Sequence, residues 1–599
     1  MSFTRKSYLL DLIGGHFCDK AIEAVKAGKT LRGTGDNWDM RVLKAHMTKR
    51  NQNEDLHLFA SNFYVNRVDF SNLPNDVPKG DLATCSHNVF RLTIPELRLL
   101  KENFKVLVSR ICVEYLPKFQ FLKRVTPKHI IHRFSEEMSQ QSTIISLPII
   151  NANEAKHEDC VNILRIYEYW NFVIRKAAGV IQHRIEPLNP PVPDDVTARP
   201  GQPGAHVMDN SQDDPMRDMA IPMAGDQLTR VRFAGAKDLL ADAHTPADRF
   251  EHCSPFRPVA WHTKASFLQY CFSLLYKAES CEEIGTLKYF RERYKRKNVT
   301  PQKVHDSYDG CEDFFISVGK SYIVAALIKF FGMTKVDDYP TENGFPVNMI
   351  HKSDNEIKQY FDTYIGKFVS SFIFQQDQAP PPNQGDDYVK NYGLCMMYLT
   401  IVLLQLKDTA AEGDGDRNFI NQKLLLSIFK SLNAYSKYAI EMFVSIAQVE
   451  CLLTERTSAQ VKWGCFSNWT GGLGRNIEDD LVQEICNSIS KNAVKRMGAN
   501  KSLHSIEEIC RATSGIKLII DTYDKQLNIH KLSSRHTTAS AKEDDHHMID
   551  EILLLGVYDY QNGRYHNSFP DLKRSPMLNL NHGDFDDWIE KRKTQMTTL

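Results

Sequence analysis

From residue 265 to residue 465 the chain places its apolar residues almost only at helical spacing. The few strand-like segments fall outside that stretch, each beside an acidic or histidine residue. Apolar residues three and four apart load one face of a helix, whereas alternation loads one face of a strand. Helical spacing runs through 94–116 (Leu97, Leu100, Phe104, Leu107, Val108, Ile111), through 158–182 (Leu164, Ile166, Trp170, Val173, Ile174) and through 420–452. Alternation marks 57–65, around Leu58, Phe59, Phe63 and Val65. Two short apolar runs, 219–224 and 256–261, end at Gly225-Asp226 and at His262. These patterns predict an α/β core in a mostly helical chain, its small sheet interrupted by a large all-α insertion.

Four stretches rich in Pro, Gly, Asp or Ser read as loops or linkers: 186–217, 375–388, 408–417 and 533–548. They divide the chain into an N-terminal part of the core (1–185), a linker (186–217), central core strands (218–264), the helical insertion (265–465), a late core helix (466–532), and a flexible segment with a C-terminal tail (533–599). The 599 residues, 42% hydrophobic and 10% aromatic, suffice for buried cores and exclude global disorder. Basic and acidic side chains balance at 74 each, so any nucleic-acid contact has to come from local patches.

The 13 cysteines include no C-x-x-C pair, which argues against a structural zinc module and a disulfide framework. No signal peptide is visible at the start, and the apolar stretch from Tyr392 to Leu406 reads as too short to span a bilayer. The expectation is a chain of the cytosol or nucleus, not secreted, with no membrane partner; its oligomeric state is not encoded in any motif.

Three places carry candidate chemistry. Gly33-Thr-Gly-Asp36-Asn-Trp-Asp39 puts two carboxylates beside the first strand pair. Gly225-Asp226-Gln227 sets an acid at the carboxyl end of a short strand, where side chains project into a crevice over a fixed backbone. Gly471-Gly-Leu-Gly-Arg-Asn476-Ile-Glu-Asp479-Asp480-Leu-Val-Gln-Glu484-Ile-Cys-Asn487 opens a helix that Asn476 or Asp479 can cap, with Asp480 and Glu484 four residues apart on one face. Any one of these acids alone has an ordinary use at a strand end or helix cap. Together they could hold divalent ions about 3.5–4 Å apart, the arrangement that stabilises both oxygens of an in-line phosphoryl displacement.

An acid on the first strand, Asp226 on a later one and Glu484 on a helix beyond a long helical insertion resemble the DDE transposases, most closely the hAT type. In that family a Cys-x-x-His motif follows the fifth strand. Here the matching place reads Val259-Ala-Trp-His262, with the histidine kept and the cysteine replaced by Val259. The chain also resembles, over roughly residues 30–530, an uncharacterised eukaryotic domain family expanded in invertebrates and fungi. The marks of that family are an early Asp-Asn-x-Asp, a Gly-Asp-Gln, a Trp-His, and the late Asn476-to-Asn487 motif with Lys491 following.

These resemblances imply a ribonuclease-H-like core of transposon origin, with Asp226, Glu484 and either Asp36 or Asp39 as catalytic and Mg2+- or Mn2+-binding acids. Asp39 is favoured over Asp36, which could instead cap the turn. His262 and Asp480 would support them, and the chemistry would be DNA phosphodiester cleavage and strand transfer. A domesticated, non-catalytic binding scaffold is the rival, and a purely helical scaffold without a sheet is a third reading.

Lys288, Arg291, Arg293, Lys295, Arg296 and Lys297, interleaved with Tyr289, Phe290 and Tyr294, form the densest basic stretch. They suit a phosphate-tracking surface or a solvated helix face. The run from Lys118 to Arg133 contains Phe119, Phe121 and Leu122, which suit packing. Val318-Gly-Lys-Ser321 imitates the end of a P-loop, but Phe314 stands where the first glycine is needed. His546-His547 reads as part of a solvated segment.

Overall fold

A computed structural model describes residues 17–44, 46–50, 52–181, 214–346, 348–374, 385–432, 436–497, 501–527 and 542–597, with Leu9 and Ile13. The expected linkers at 186–217 and 375–388 and the start of the segment at 533–548 lie largely outside these residues. The described chain is mostly helical, with a small mixed sheet.

The sheet has the order β3-β2-β1-β4-β5, so its first strand is central. The strands are β1 (Leu31–Val42), β2 (Glu54–Val65), β3 (Ile144–Ser146), β4 (Met223–Ala224) and β5 (Phe256–Arg257). β1 pairs antiparallel with β2 and parallel with β4; β2 pairs antiparallel with β3, and β4 parallel with β5. β6 (Phe466–Asn468) and β7 (Asn476–Glu478) form a separate hairpin.

Alternation along β1 and β2 assigns the two faces. Leu31, Phe59 and Phe63 pack with α1 (Phe17–Lys26), through Ala21 and Val25. A second helix, α2 (Ile94–Tyr115), intervenes in the chain. On the same face of the sheet lie α3 (His157–Ala177), through Leu164 and Tyr167, and α4 (Gln227–Asp238), through Phe233. Gly33 and Gly35 belong to this crowded face. A Cβ on Gly33 would sit 2.4 Å from the Met223 sulfur, and one on Gly35 would sit 2.5 Å from the Phe59 ring.

After β5 the chain enters α5 (Ala260–Leu275), α6 (Leu287–Arg293), α7 (Tyr308–Phe330), α8 (Tyr388–Glu412), α9 (Gly415–Lys430), α10 (Ser436–Ala447) and α11 (Glu455–Trp463). Past the hairpin come α12 (Asp479–Lys495), α13 (Leu503–Gln526), α14 (Lys542–Leu554) and α15 (His582–Thr597). The opposite face of the sheet, with Trp38, Met40, Leu58 and Ala60, packs on Val494 of α12 and on Ile506 and Ile509 of α13.

A second, larger core joins α5, α7, α8, α9 and α10. Leu100, Phe104 and Val108 of α2 lie in it too, as do Phe119, Phe121 and Leu122. The segment 1–185 is therefore split between the sheet and the helical body. The end of the chain belongs to that body as well: Met548, Ile549 and Ile552 of α14 and Phe585 and Ile589 of α15 are buried there. The expected tail is packed structure because its apolar residues complete a core face, and His546-His547 sits on α14.

The expected loop at 408–417 shrinks to a two-residue link. Thr409 to Glu412 extend α8, Gly413 closes it in the left-handed region (φ 72°), and the Asp414 side chain accepts from Arg417 N–H to start α9 at once. α8 is also longer than its apolar stretch suggested. At 25 residues it could cross a bilayer by length and composition, yet 78% of its apolar window is buried within the protein. Val318–Ser321 lies in the middle of α7, which removes any P-loop role.

Candidate active site

β1 presents Arg32, Thr34, Asp36, Trp38 and Met40 toward α12, and the alternate residues toward α3. Asp36 thus faces the late helix, where Asn487 Nδ2 donates to its Oδ2 at 3.2 Å. Asp39 is displaced by an odd number of residues and points the other way, half exposed and 2.8 Å from His57 Nδ1. The preference for Asp39 is corrected: strand parity puts Asp36 with the other acids, and Asp36 lies within a regular strand where no turn needs capping.

Asp226 follows β4 and is the N-cap of α4, its Oδ1 accepting from Thr229 N–H at 2.7 Å. Beside it lies Glu154, from the loop before α3, with no exposed surface. Its Oε1 accepts from Asn37 Nδ2 at 2.6 Å and its Oε2 from the Thr229 hydroxyl at 2.5 Å. Burial first, then the nearby Asp226, pushes this carboxyl up to about 7 against the pull of Thr229 and Arg232.

α12 supplies the rest. Neither Asn476 nor Asp479 caps it: Asn476 donates to the carbonyls of Met138 and Ala411, and Asp479 is buried in an ion pair. Asp479 accepts from Arg32 at 2.8 Å, from Arg257 at 3.2 Å and from Ser467 at 2.6 Å, which ties β1 and β5 to the helix start. Asp480 caps a different helix. Val259 gives α5 no side-chain cap, and Asp480 accepts from the backbone N–H of Trp261 (3.1 Å) and His262 (2.9 Å), satisfying two orphan donors of the first turn.

The same carboxylate holds His262 Nδ1 at 3.0 Å, while His262 Nε2 lies 3.9 Å from Glu484 Oε1. Burial opposes a charge on His262, but Asp480, Asp36 and Asp226 outweigh it and raise the imidazole to about 9. The histidine is a cation at neutral pH.

Asp36 feels the whole assembly. Burial, then Glu484, then Asp226 and Glu154 push its carboxyl well above the usual range, and His262 alone among its main influences pulls it back. Asp36, Asp226 and Glu484 are thus brought into one electrostatic neighbourhood. Among the described residues, however, no three His, Cys, Asp or Glu side chains are already gathered into a coordination cluster. Glu154 is the member that sequence reasoning missed; its only signal was an acid in a polar loop before a helix.

Four cations of the basic stretch are ion-paired, while Lys295 and Lys297 are exposed. Lys288 and Arg291 pair with Glu292, Arg293 with Glu551 at 3.0 Å, and Arg296 with Asp313 at 3.3 Å. Phe290 is buried, and Tyr289 and Tyr294, both partly buried, pack on the helical core. Lys295 adopts a left-handed backbone (φ 53°) just past α6, and Lys297 accepts at its carbonyl from Arg291.

Residues 83–536 match the model of a family of unknown function, DUF6589. No curated protein and no solved structure matches the chain.

Proposed function

The chain belongs to the DUF6589 family, and we propose that its sheet is a ribonuclease-H-like core that carries a transposase-type acid site for DNA phosphodiester cleavage. The observation that carries the reading is positional. Asp36 lies on the central strand, Asp226 at the end of the adjacent parallel strand, and Glu484 on the helix packed across the central strand; Asp226 and Glu484 both act on the Asp36 carboxyl.

The three acids fit a hard divalent ion such as Mg2+ or Mn2+. Their donors are all oxygens, and Glu484 and Asp226 press on the Asp36 carboxyl while His262 opposes them. Asp36, Asp226 and Glu484 would hold the ion, and Glu484, whose side chain is 40% exposed, is the acid open to solvent. When bound, the metal supplies charge stabilisation to the attacking and leaving oxygens of a phosphoryl displacement. The chain's own groups do the positioning. Asn487 orients Asp36, the α4 N-terminus orients Asp226, and Asp480 fixes His262 so that Nε2 faces the acids. A cationic His262 can neutralise a phosphate oxygen or give a proton to a departing one.

A non-catalytic scaffold is the second reading, favoured by the ion pairing of Lys288, Arg293 and Arg296. Nicking of supercoiled plasmid DNA with Mg2+ or Mn2+, together with Mn2+ titration, separates the two. The catalytic reading expects nicking by the wild type and a loss of at least about 100-fold in Asp226→Asn. Metal binding without nicking would favour the scaffold. Equal Mn2+ binding by wild type and Asp226→Asn would remove Asp226 as a ligand.

A further inference from the structure

We infer that Glu154 is a positioning residue that locks Asp36 and Asp226 into one geometry from behind the sheet; the inference rests on the acid-site reading above. Both Glu154 oxygens are engaged and none of its surface is exposed, so it supports the site without facing the crevice. One arm runs through Asn37, the residue after Asp36 on β1; Asn37 O also lies 3.4 Å from the Asn487 amide that holds Asp36 Oδ2. The other arm runs through Thr229, whose hydroxyl donates to Glu154 and whose N–H donates to Asp226.

Thr229 is itself confined. A Cβ on Gly225 would lie 2.5 Å from its methyl group and 3.3 Å from Gly35 O, so the threonine seats against the β1–β4 pair and Gly225 must stay bare to admit it. Glu154 is in turn anchored to the start of α3, where Cys160 Sγ donates to its carbonyl at 3.2 Å and Asp159 accepts from Asn153 N–H at 2.8 Å. Burying a carboxylate is costly unless its hydrogen bonds are complete, and here they are made to the two elements that carry the acids. Such supporting bonds typically govern metal affinity by 10–100-fold.

The test is Mn2+ binding to the full chain, read by the loss of the free-ion EPR signal, alongside the melting temperature of each variant. Glu154→Gln and Thr229→Val are expected to weaken Mn2+ binding at least about tenfold, while Thr229→Ser, which keeps the hydroxyl, stays within about twofold. A merely structural role would lower the melting temperature of these variants and leave the Mn2+ affinity at the wild-type value; that result overturns the inference while Asp226→Asn still abolishes binding. If Glu154→Gln fails to fold, Thr229→Val against Thr229→Ser decides alone. A wild-type chain indifferent to Mn2+ overturns the acid-site reading and this inference with it.

Discussion

At the residue scale the site is a concentration of like charge that the fold tolerates at a cost to stability. Asp36 is partly buried and pressed by Glu484, Asp226 and Glu154, so removing its charge should stabilise the fold. Asp36→Asn is expected to raise the melting temperature in EDTA at pH 8, where the unfolded carboxyl would be ionised without penalty. A melting temperature at or below wild type would contradict the reading. Away from the site, His252 is buried between Glu168 Oε2 and Asp214 Oδ2, each at 2.8 Å. Burial disfavours its charge, but the two acids win and raise it from 6.5 to about 9. A cation stabilised in the fold contributes fully below pH 6.5 and loses its contribution as pH rises through about 9. His252→Gln should therefore cost up to about 3 kcal/mol at pH 6, and the gap from wild type should narrow toward pH 10; equal denaturant midpoints for the two proteins at pH 6 would refute it. Which residues could be foreseen follows from their surroundings. Asp226 and Glu484 stand out because one follows a strand and the other shares a helix face with a second acid, and His262 because it ends a short apolar run in the sequence. Glu154 does not, because its partners Asn37 and Thr229 are distant in sequence and only the folded sheet brings them together.

At the element scale, the late motif is a set of ties around β1. Its glycines turn the hairpin: Gly471, Gly472 and Gly474 all have positive φ. Asp479 then binds Arg32 and Arg257, Asp480 caps α5, and Asn487 holds Asp36. A helix start with acids at 479, 480 and 484 was readable from spacing, but the use of each acid depends on which strand or helix lies opposite, and spacing carries no such information. Asp479→Asn leaves two buried guanidiniums short of charge and should destabilise by about 3–5 kcal/mol, seen as a lowered urea midpoint; a loss below 1 kcal/mol would show the pair to be dispensable. The α8–α9 link makes a second case. Alternating Gly and Asp at 412–416 suggest a long loop, yet one left-handed glycine and one cap suffice. A Cβ at Gly413 would also stand 2.9 Å from Asn476, so Gly413→Ala should cost about 1 kcal/mol or more. A Gly413→Ala midpoint equal to wild type would argue against that turn.

At the scale of the whole molecule, the sheet and the helical body share the chain in an interleaved way that no segment-by-segment reading exposes. α2 lies between β2 and β3 in sequence but packs in the helical body, and α12 returns from the far side of that body to cover β1. Periodicity identified these helices because it reports a local face; it is silent on which core the face meets. The same holds for the C-terminal end, where a polar, acid-rich stretch hides the start of an apolar stripe. α14 lies along α7, with Met548, Ile549 and Ile552 buried, and Asp545 accepts from the Tyr115 hydroxyl at 2.6 Å. Arg564 adds a bidentate pair with Asp387, both contacts at 2.8 Å, at the N-cap of α8. Removing residues 542–599 would expose the α7–α8 apolar surface and leave Tyr115 and Asp387 without these partners. A chain ending at residue 541 is therefore expected to aggregate on size-exclusion chromatography and to lose its cooperative melting transition, whereas a solvated tail would be lost without consequence. A truncated chain that elutes as a compact species with the wild-type transition would show that α14 and α15 are appended to the helical body rather than part of its core.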